Sequence, residues 1–232
     1  MLLEVCVDDA VGLAEAVAGG ADRVELCAAL GVGGLTPSLG LMDVAAGCGV
    51  PCYPMIRPRS GDFCFDAAEV AVMRADIRAA RAAGLPGVVL GAARDGRLDL
   101  GVLADLVAEA QGMDLTLHRV IDLLSDVERA VEEAVALGFR RVLSSGGARV
   151  AHEGVPRLGR MMRAAGGRLS VMPGSGVTVE TWPLLAGLGV REVHASCAVG
   201  LGGQADVFGF VTGGERRTDR AKVAALRAVL GE

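Results

Sequence analysis

Aromatic residues and histidine are scarce in this sequence, and it has no excess of positive charge. Aromatic residues make up 3% of the 232 residues, with one tryptophan and one tyrosine, and there are three histidines. The formal net charge is −5 at pH 7, and no segment is rich in lysine or arginine. The sequence therefore favours neither a nucleic acid nor an anionic membrane as a partner. No apolar run approaches the ~18 residues that a membrane span needs.

Several familiar motifs are also missing. The chain has no Walker A loop, no His-Glu-x-x-His and no Cys-x-x-Cys, which removes the usual evidence for a nucleotide hydrolase, a zinc protease or a thioredoxin. The first residues lack the basic start and long apolar stretch of a signal peptide, so we expect a cytoplasmic protein. Its six cysteines are then expected to be reduced thiols.

What the sequence does contain is a repeated strand–helix pattern. The predicted strands are residues 2–7, 23–27, 52–57, 87–90, 115–118, 141–144, 169–172 and 192–195. The predicted helices are residues 9–18, 38–48, 66–83, 99–111, 125–137, 178–188 and 219–230. Alternating strands and helices imply parallel strands with right-handed crossovers. Eight such strands in this length predict one α/β domain over residues 1–232, a (β/α)8 TIM barrel.

Polar residues alternate with apolar ones inside these strands. Because the outward face of a barrel strand packs on helices, the polar residues are expected to face the interior. The inward set contains Glu4, Glu25, Arg57, His118, Glu192 and His194. Buried charges are costly unless they are paired. The set therefore predicts either a structural salt-bridge network, with Arg57 neutralising one or two glutamates, or a functional pocket at the carboxyl ends of the strands.

Two cysteines end adjacent predicted strands. Cys6 and Cys27 are expected at matching depth on strands about 4.8 Å apart, and two thiolates suit a two-coordinate Cu(I) ion. The alternative is that both are small buried apolar side chains. Cys48 and Cys52 are predicted to lie in the core, whereas Cys64 and Cys197 could reach the rim.

The same mouth carries candidate residues for anion binding and acid–base chemistry. Loops after late barrel strands often bind anions through backbone N–H groups. The predicted anion-binding residues are Arg57, Arg59, Ser145, Gly146, Gly174 and Gly176. The candidate acid–base groups are Glu25, His118 and His194, and Asp122 is a candidate orienting partner for His118.

Seven segments in order along the chain resemble the CutC family of copper homeostasis proteins. They are G-A-D-R-V-E-L-C at 20–27, G-G-L-T-P-S at 33–38, I-R-P-R at 56–59 with G-D-F-C at 61–64, H-R at 118–119 with Asp122, L-S-S-G-G at 143–147, G-S-G-V at 174–177 and E-V-H-A-S at 192–196. The resemblance implies a TIM barrel, a cytoplasmic homo-oligomer (dimer or tetramer) and Cu(I) bound by cysteines. Carried onto this sequence, those cysteines are Cys6 and Cys27.

Two functions follow as hypotheses. The first is copper homeostasis with Cu(I) held by Cys6 and Cys27. The alternative is a TIM-barrel enzyme that acts on a small phosphorylated or carboxylated metabolite. The residues alone leave open whether the protein catalyses a reaction.

Overall fold

Eight parallel strands surround a common interior in this computed structural model, which describes residues 1–201 and 216–231. In chain order they are β1 (Leu2–Val7), β2 (Arg23–Leu26), β3 (Cys52–Pro54), β4 (Gly87–Leu90), β5 (Asp114–Leu117), β6 (Arg141–Ser144), β7 (Ser170–Pro173) and β8 (Glu192–Ala195). They form two sheets, β8-β1-β2-β3 and β4-β5-β6-β7. A parallel bridge between Met55 and Val89 joins β3 to β4, and β7 contacts β8. This is the strand order of a TIM barrel, as predicted.

Helices follow the strands and cover the outside of the barrel. They are α1 (Ala10–Ala18), α2 (Leu39–Ala46), α3 (Ala67–Ala82), α4 (Leu100–Glu109), α5 (Val127–Ala136), α6 (Val155–Ala165), α7 (Trp182–Ala186) and α8 (Arg220–Gly231). Helix α6 is absent from the predicted elements, although Leu158, Met161 and Ala165 mark one buried face at helical spacing. Helix α7 is shorter than predicted. Among the described residues, no helix has both the length and the apolarity to span a membrane.

The predicted alternation of strand faces is confirmed by two separate apolar clusters. Leu3, Val5, Val24 and Leu26 belong to the large cluster that includes the helices. A second, smaller cluster contains Cys27, Tyr53, Met55 and Val89. It lies on the opposite strand faces, which point into the barrel.

The loop after β6 packs tightly against the start of α6. A Cβ atom added at Gly154 would lie 1.9 Å from the carbonyl oxygen of Ser145, and one added at Gly146 would lie 2.3 Å from the carbonyl oxygen of Gly154. Both neighbours are backbone atoms and have little room to move. Glycine is therefore required at both positions for this loop conformation.

We predict that Gly154→Ala destabilises the protein by about 1–3 kcal/mol, the usual cost of overpacking. Chemical denaturation of the variant measures the loss of unfolding free energy. Gly187→Ala is the matched control, because an added Cβ there meets no atom within 4 Å. An equal loss in the two variants would contradict the packing explanation.

Candidate functional site

The amino-terminal half of the barrel interior holds a buried ion-pair network. Arg23 donates to both Glu4 and Glu192, and Arg141 Nε lies 3.2 Å from Glu192 Oε2. The guanidinium groups of Arg23 and Arg141 also lie over the ring of Tyr53, at 5.4 and 5.2 Å from its centroid. Paired in this way, the carboxylates can remain charged inside the barrel.

The sequence-based interpretation assigned this neutralising role to Arg57, and that assignment is wrong. Arg57 donates instead to three backbone carbonyls, those of Val32, Gly34 and Gly61. The signal for the true partner was present in the sequence. Arg23 precedes Glu25 by two residues and so shares its inward strand face.

Above this network, His194 links three other side chains. Its Nδ1 atom lies 2.8 Å from Glu4 Oε1, and its Nε2 atom lies 3.8 Å from Glu25 Oε2. Donor atoms of Cys6, Glu25 and His194 all lie within 4.8 Å of one another, and all three residues are buried. The register explains this meeting, because β1 pairs Glu4 with His194 on one side and Cys6 with Glu25 on the other.

The charged side chains in this group shift one another's pKa. Burial acts to raise the pKa of Glu4, but the hydrogen bond from His194 and the charge of Arg23 outweigh it and hold that pKa at about 2. Burial acts to lower the pKa of His194, yet the charges of Cys6 and Glu25 raise it well above its usual value. Burial raises the pKa of Glu25.

Cys27 lies one inward position beyond Glu25, so its depth differs from that of Cys6. The residue of β2 level with Cys6 is Glu25, and the Cys27 thiol lies 3.6 Å from Glu25 Oε2. Burial and the charge of Glu25 raise the pKa of the Cys27 thiol well above its usual value. This register shows that the two thiols do not lie at matching depth, as we had expected.

His118 lies in a different environment. Its Nδ1 atom accepts a hydrogen bond from the backbone N–H of Val120 at 3.2 Å, so the ring proton is on Nε2. Its ring lies against Phe63 with the centroids 4.8 Å apart. Burial and the charge of Arg57 lower the pKa of His118 to about 3. The imidazole is therefore neutral at physiological pH.

Asp122 organises the loop after β6 and does not orient His118. It accepts from the backbone N–H groups of Ser145 and Gly147 and from both serine hydroxyls of the loop, and it pairs with Arg119 at 2.8 Å. The N–H of Gly146 donates to the Ser144 hydroxyl. The amides of Ser145 and Gly146, which we expected to bind an anion, are thus already occupied within the loop.

Arg59 and the loop after β7 account for the other predicted anion-binding residues. Arg59 pairs with Asp62 and Glu69, so its charge is already balanced. The N–H of Gly174 donates to the Ser144 carbonyl at 3.0 Å. Gly176 has a φ of +70°, a conformation that favours glycine, and it lines the cavity described next.

A cavity of about 580 Å³ opens at the carboxyl ends of the strands. Six of the predicted site residues line it, namely Cys6, Glu25, Arg57, His118, Gly176 and His194. Phe63, Arg119, Cys197 and Lys222 also line it and were not among the predicted site residues. Lys222 lies on α8, so the pattern of polar residues at strand ends could not indicate it.

Cys48 and Cys52 do not line this cavity, and their Sγ atoms lie 3.3 Å apart.

The fold and the position of this cavity define the class of the protein as a TIM barrel with its candidate site at the carboxyl ends of the strands. Thiamine phosphate pyrophosphorylase of Pyrococcus furiosus shares this fold at a TM-score of 0.64. It is 13% identical and covers 99% of this chain and 95% of its own, a likeness that concerns the fold alone.

The chain belongs to the CutC family, whose model matches residues 1–199. A family protein CutC of Sinorhizobium medicae is 57% identical over 99% of this chain and 96% of its own length. One of Caulobacter vibrioides is 50% identical over 99% and 98%. A crystal structure from Streptococcus agalactiae, provisionally described as the copper homeostasis protein CutC, matches with a TM-score of 0.80 and 30% identity over 84% of this chain and 98% of that one. Membership in the CutC family is thus established.

Proposed function

We propose that this protein binds Cu(I) at the carboxyl ends of its strands, with the Cys6 thiolate and His194 Nε2 as the principal ligands. The observation that carries the proposal is the meeting of the Cys6, Glu25 and His194 donor atoms within 4.8 Å in a buried site. The family relationship to a protein provisionally described in copper homeostasis supports copper as the metal.

The chemistry of the donors fits a soft monovalent ion. Thiolate and imidazole are both ligands that copper accepts readily. Glu4 binds the Nδ1 side of His194, which fixes the ring, as carboxylates commonly do for metal-binding histidines. Because the pKa of His194 is raised, the metal would displace the Nε2 proton when it binds there. Glu25 is a third donor at the same point. Cys27, the second thiol of the sequence-based hypothesis, lies against Glu25 and is proposed as a supporting ligand.

The test is an anaerobic titration of the reduced protein with Cu(I) against a competing chelator. Cys6→Ser is expected to weaken binding by about 100-fold or more, since even outer-sphere changes at metal sites cost roughly 10–100-fold. Cys27→Ser is expected to weaken it less, because the Cys27 thiol is not in the three-residue group.

Cys64→Ser is the matched control, a half-buried cysteine outside the cavity lining. It should bind Cu(I) like the wild type. A Cys6→Ser protein that also binds like the wild type would overturn the proposal. From the family resemblance we also propose a cytoplasmic dimer or tetramer, and light scattering of the same samples measures the oligomeric state.

The size of the cavity favours a second function, binding and turnover of a small organic anion. At about 580 Å³ the cavity is far larger than one metal ion and falls in the range of small-molecule sites. Glu25, His118 and His194 all line it and are proposed as its acid–base groups.

A further inference from the structure

Three residues of the cavity wall each have a buried polar atom with no partner among the described residues. The atoms are Arg57 Nε, His118 Nε2 and Glu25 Oε1. The residues are only 4%, 3% and 3% exposed. Unpaired buried polar atoms are rare and costly in native proteins. Their concentration in residues that line one cavity points to a polar ligand that completes them.

Arg57 offers a cationic edge. Its Nη1 atom donates to two carbonyls and its Nη2 atom to one, which fixes the plane of the guanidinium. The Nε–H and the second Nη2 hydrogen are left over. Nε and Nη2 form one edge of the guanidinium, the edge through which an arginine can bind a carboxylate in a bidentate manner. Within the described chain Arg57 has no carboxylate partner of its own.

His118 adds a neutral donor to the lining of the same cavity. Its Nδ1 atom is engaged by the Val120 N–H, so Nε2 carries the proton and can only donate. Phe63 contacts both groups, since its ring lies 4.6 Å from the Arg57 guanidinium carbon and 4.8 Å from the His118 ring centre.

We propose that Arg57 and His118 form a carboxylate-binding subsite, and that the ligand of this cavity is a small hydroxy acid whose hydroxyl reaches Glu25. The inference rests on the second function proposed above, ligand binding in the cavity, and not on copper. Three directed donors match the two oxygens of a carboxylate.

The loop after β6 offers a phosphate no free amide at Ser145, Gly146 or Gly147. Such a group draws its many hydrogen bonds from backbone N–H groups. Here the amides of Ser145, Gly146 and Gly147 already donate to Asp122 and Ser144. Arg57 and His118 offer side-chain donors that suit a planar, two-oxygen anion.

Glu25 indicates which second functional group the ligand carries. One carboxyl oxygen of Glu25, Oε2, is contacted by the Cys27 thiol, whereas Oε1 is unpartnered among the described residues. A hydroxyl group on the ligand supplies the missing hydrogen bond. A plain carboxylate without a hydroxyl is expected to bind more weakly.

The test is isothermal titration of the metal-free protein with glycolate, lactate and malate, compared with acetate, lactamide and inorganic phosphate at matched ionic strength. We expect saturable binding of at least one hydroxy acid, weaker binding of acetate, and none of lactamide or phosphate. Arg57→Lys keeps the charge but loses the bidentate edge, and it is expected to weaken binding by about tenfold or more.

His118→Phe is the second variant, because Arg57 also holds three loop carbonyls and its replacement can disturb the fold. Phenylalanine keeps a ring against Phe63 and removes the donor, and we again expect about tenfold weaker binding. Arg129→Lys, on an exposed pair with Glu133, should bind like the wild type.

Absence of binding by every hydroxy acid, preference for phosphate, or equal binding by both variants and the wild type would each overturn the inference. Cu(I) titration of the same Arg57→Lys and His118→Phe proteins keeps the two proposals separate. Copper binding is expected to survive both changes, so loss of the carboxylate site and loss of the copper site give different results.

Discussion

Arg23→Met is expected to destabilise the protein by about 3–5 kcal/mol, the usual cost of removing one partner from a buried ion pair. Arg23 is 3% exposed and neutralises Glu4 and Glu192 together. Without Arg23, Glu4 still pairs with His194 and Glu192 still pairs with Arg141, but the net charge of the barrel interior becomes more negative by one unit. Denaturation with guanidinium chloride measures the difference.

The matched control is Arg74→Met on the surface of α3. Arg74 is about half exposed and pairs with Glu109. In the variant, Glu109 still has Arg78 as a partner. Exposed pairs contribute at most about 1 kcal/mol, so this variant should lose little. Adding Glu4→Gln to Arg23→Met should restore part of the stability, because it returns the net charge of the barrel interior to its original value. Equal losses for Arg23→Met and Arg74→Met would show that the network does not stabilise the barrel.

The neutral state of His118 makes the folded protein sensitive to mild acid. Its pKa is about 3 in the folded state, against an ordinary histidine value of 6.5. Between these values the unfolded chain binds a proton that the folded protein does not, so stability falls as the pH falls below about 6.5. Between pH 7.5 and 5 the loss from this one group is about 2 kcal/mol, and it grows further toward pH 3.

His118→Phe isolates this contribution, because phenylalanine does not titrate. The variant is expected to differ from the wild type by a constant amount above pH 7.5, and the gap should shift by about 2 kcal/mol in favour of the variant at pH 5. Guanidinium denaturation of metal-free protein at several pH values measures this shift. A pH-independent gap would mean that His118 titrates near its ordinary value in the folded state.

Much of the barrel could be predicted from periodicity. The alternation Leu3, Glu4, Val5, Cys6 identifies inward and outward faces because a strand has a period of two residues, and the structure confirms those faces. The predicted bounds of β1, β4, β6 and β8 agree with the structure. Helix α6 escaped prediction because Gly154, Pro156 and Gly159 interrupt the pattern that ordinarily marks a helix.

The class of fold, the inward polar residues and the family follow from the order of the amino acids, because they depend on local periodicity and on contiguous motifs. The pairings between side chains do not follow from it. Whether Arg23 or Arg57 neutralises Glu4, whether Cys6 meets Cys27 or Glu25 with His194, and whether Asp122 serves His118 or the loop after β6 depend on strand register and on loop closure. Both place residues that are far apart in the chain within hydrogen-bonding distance. The periodicity marks Arg23 as an inward residue, but it does not show which carboxylate Arg23 meets.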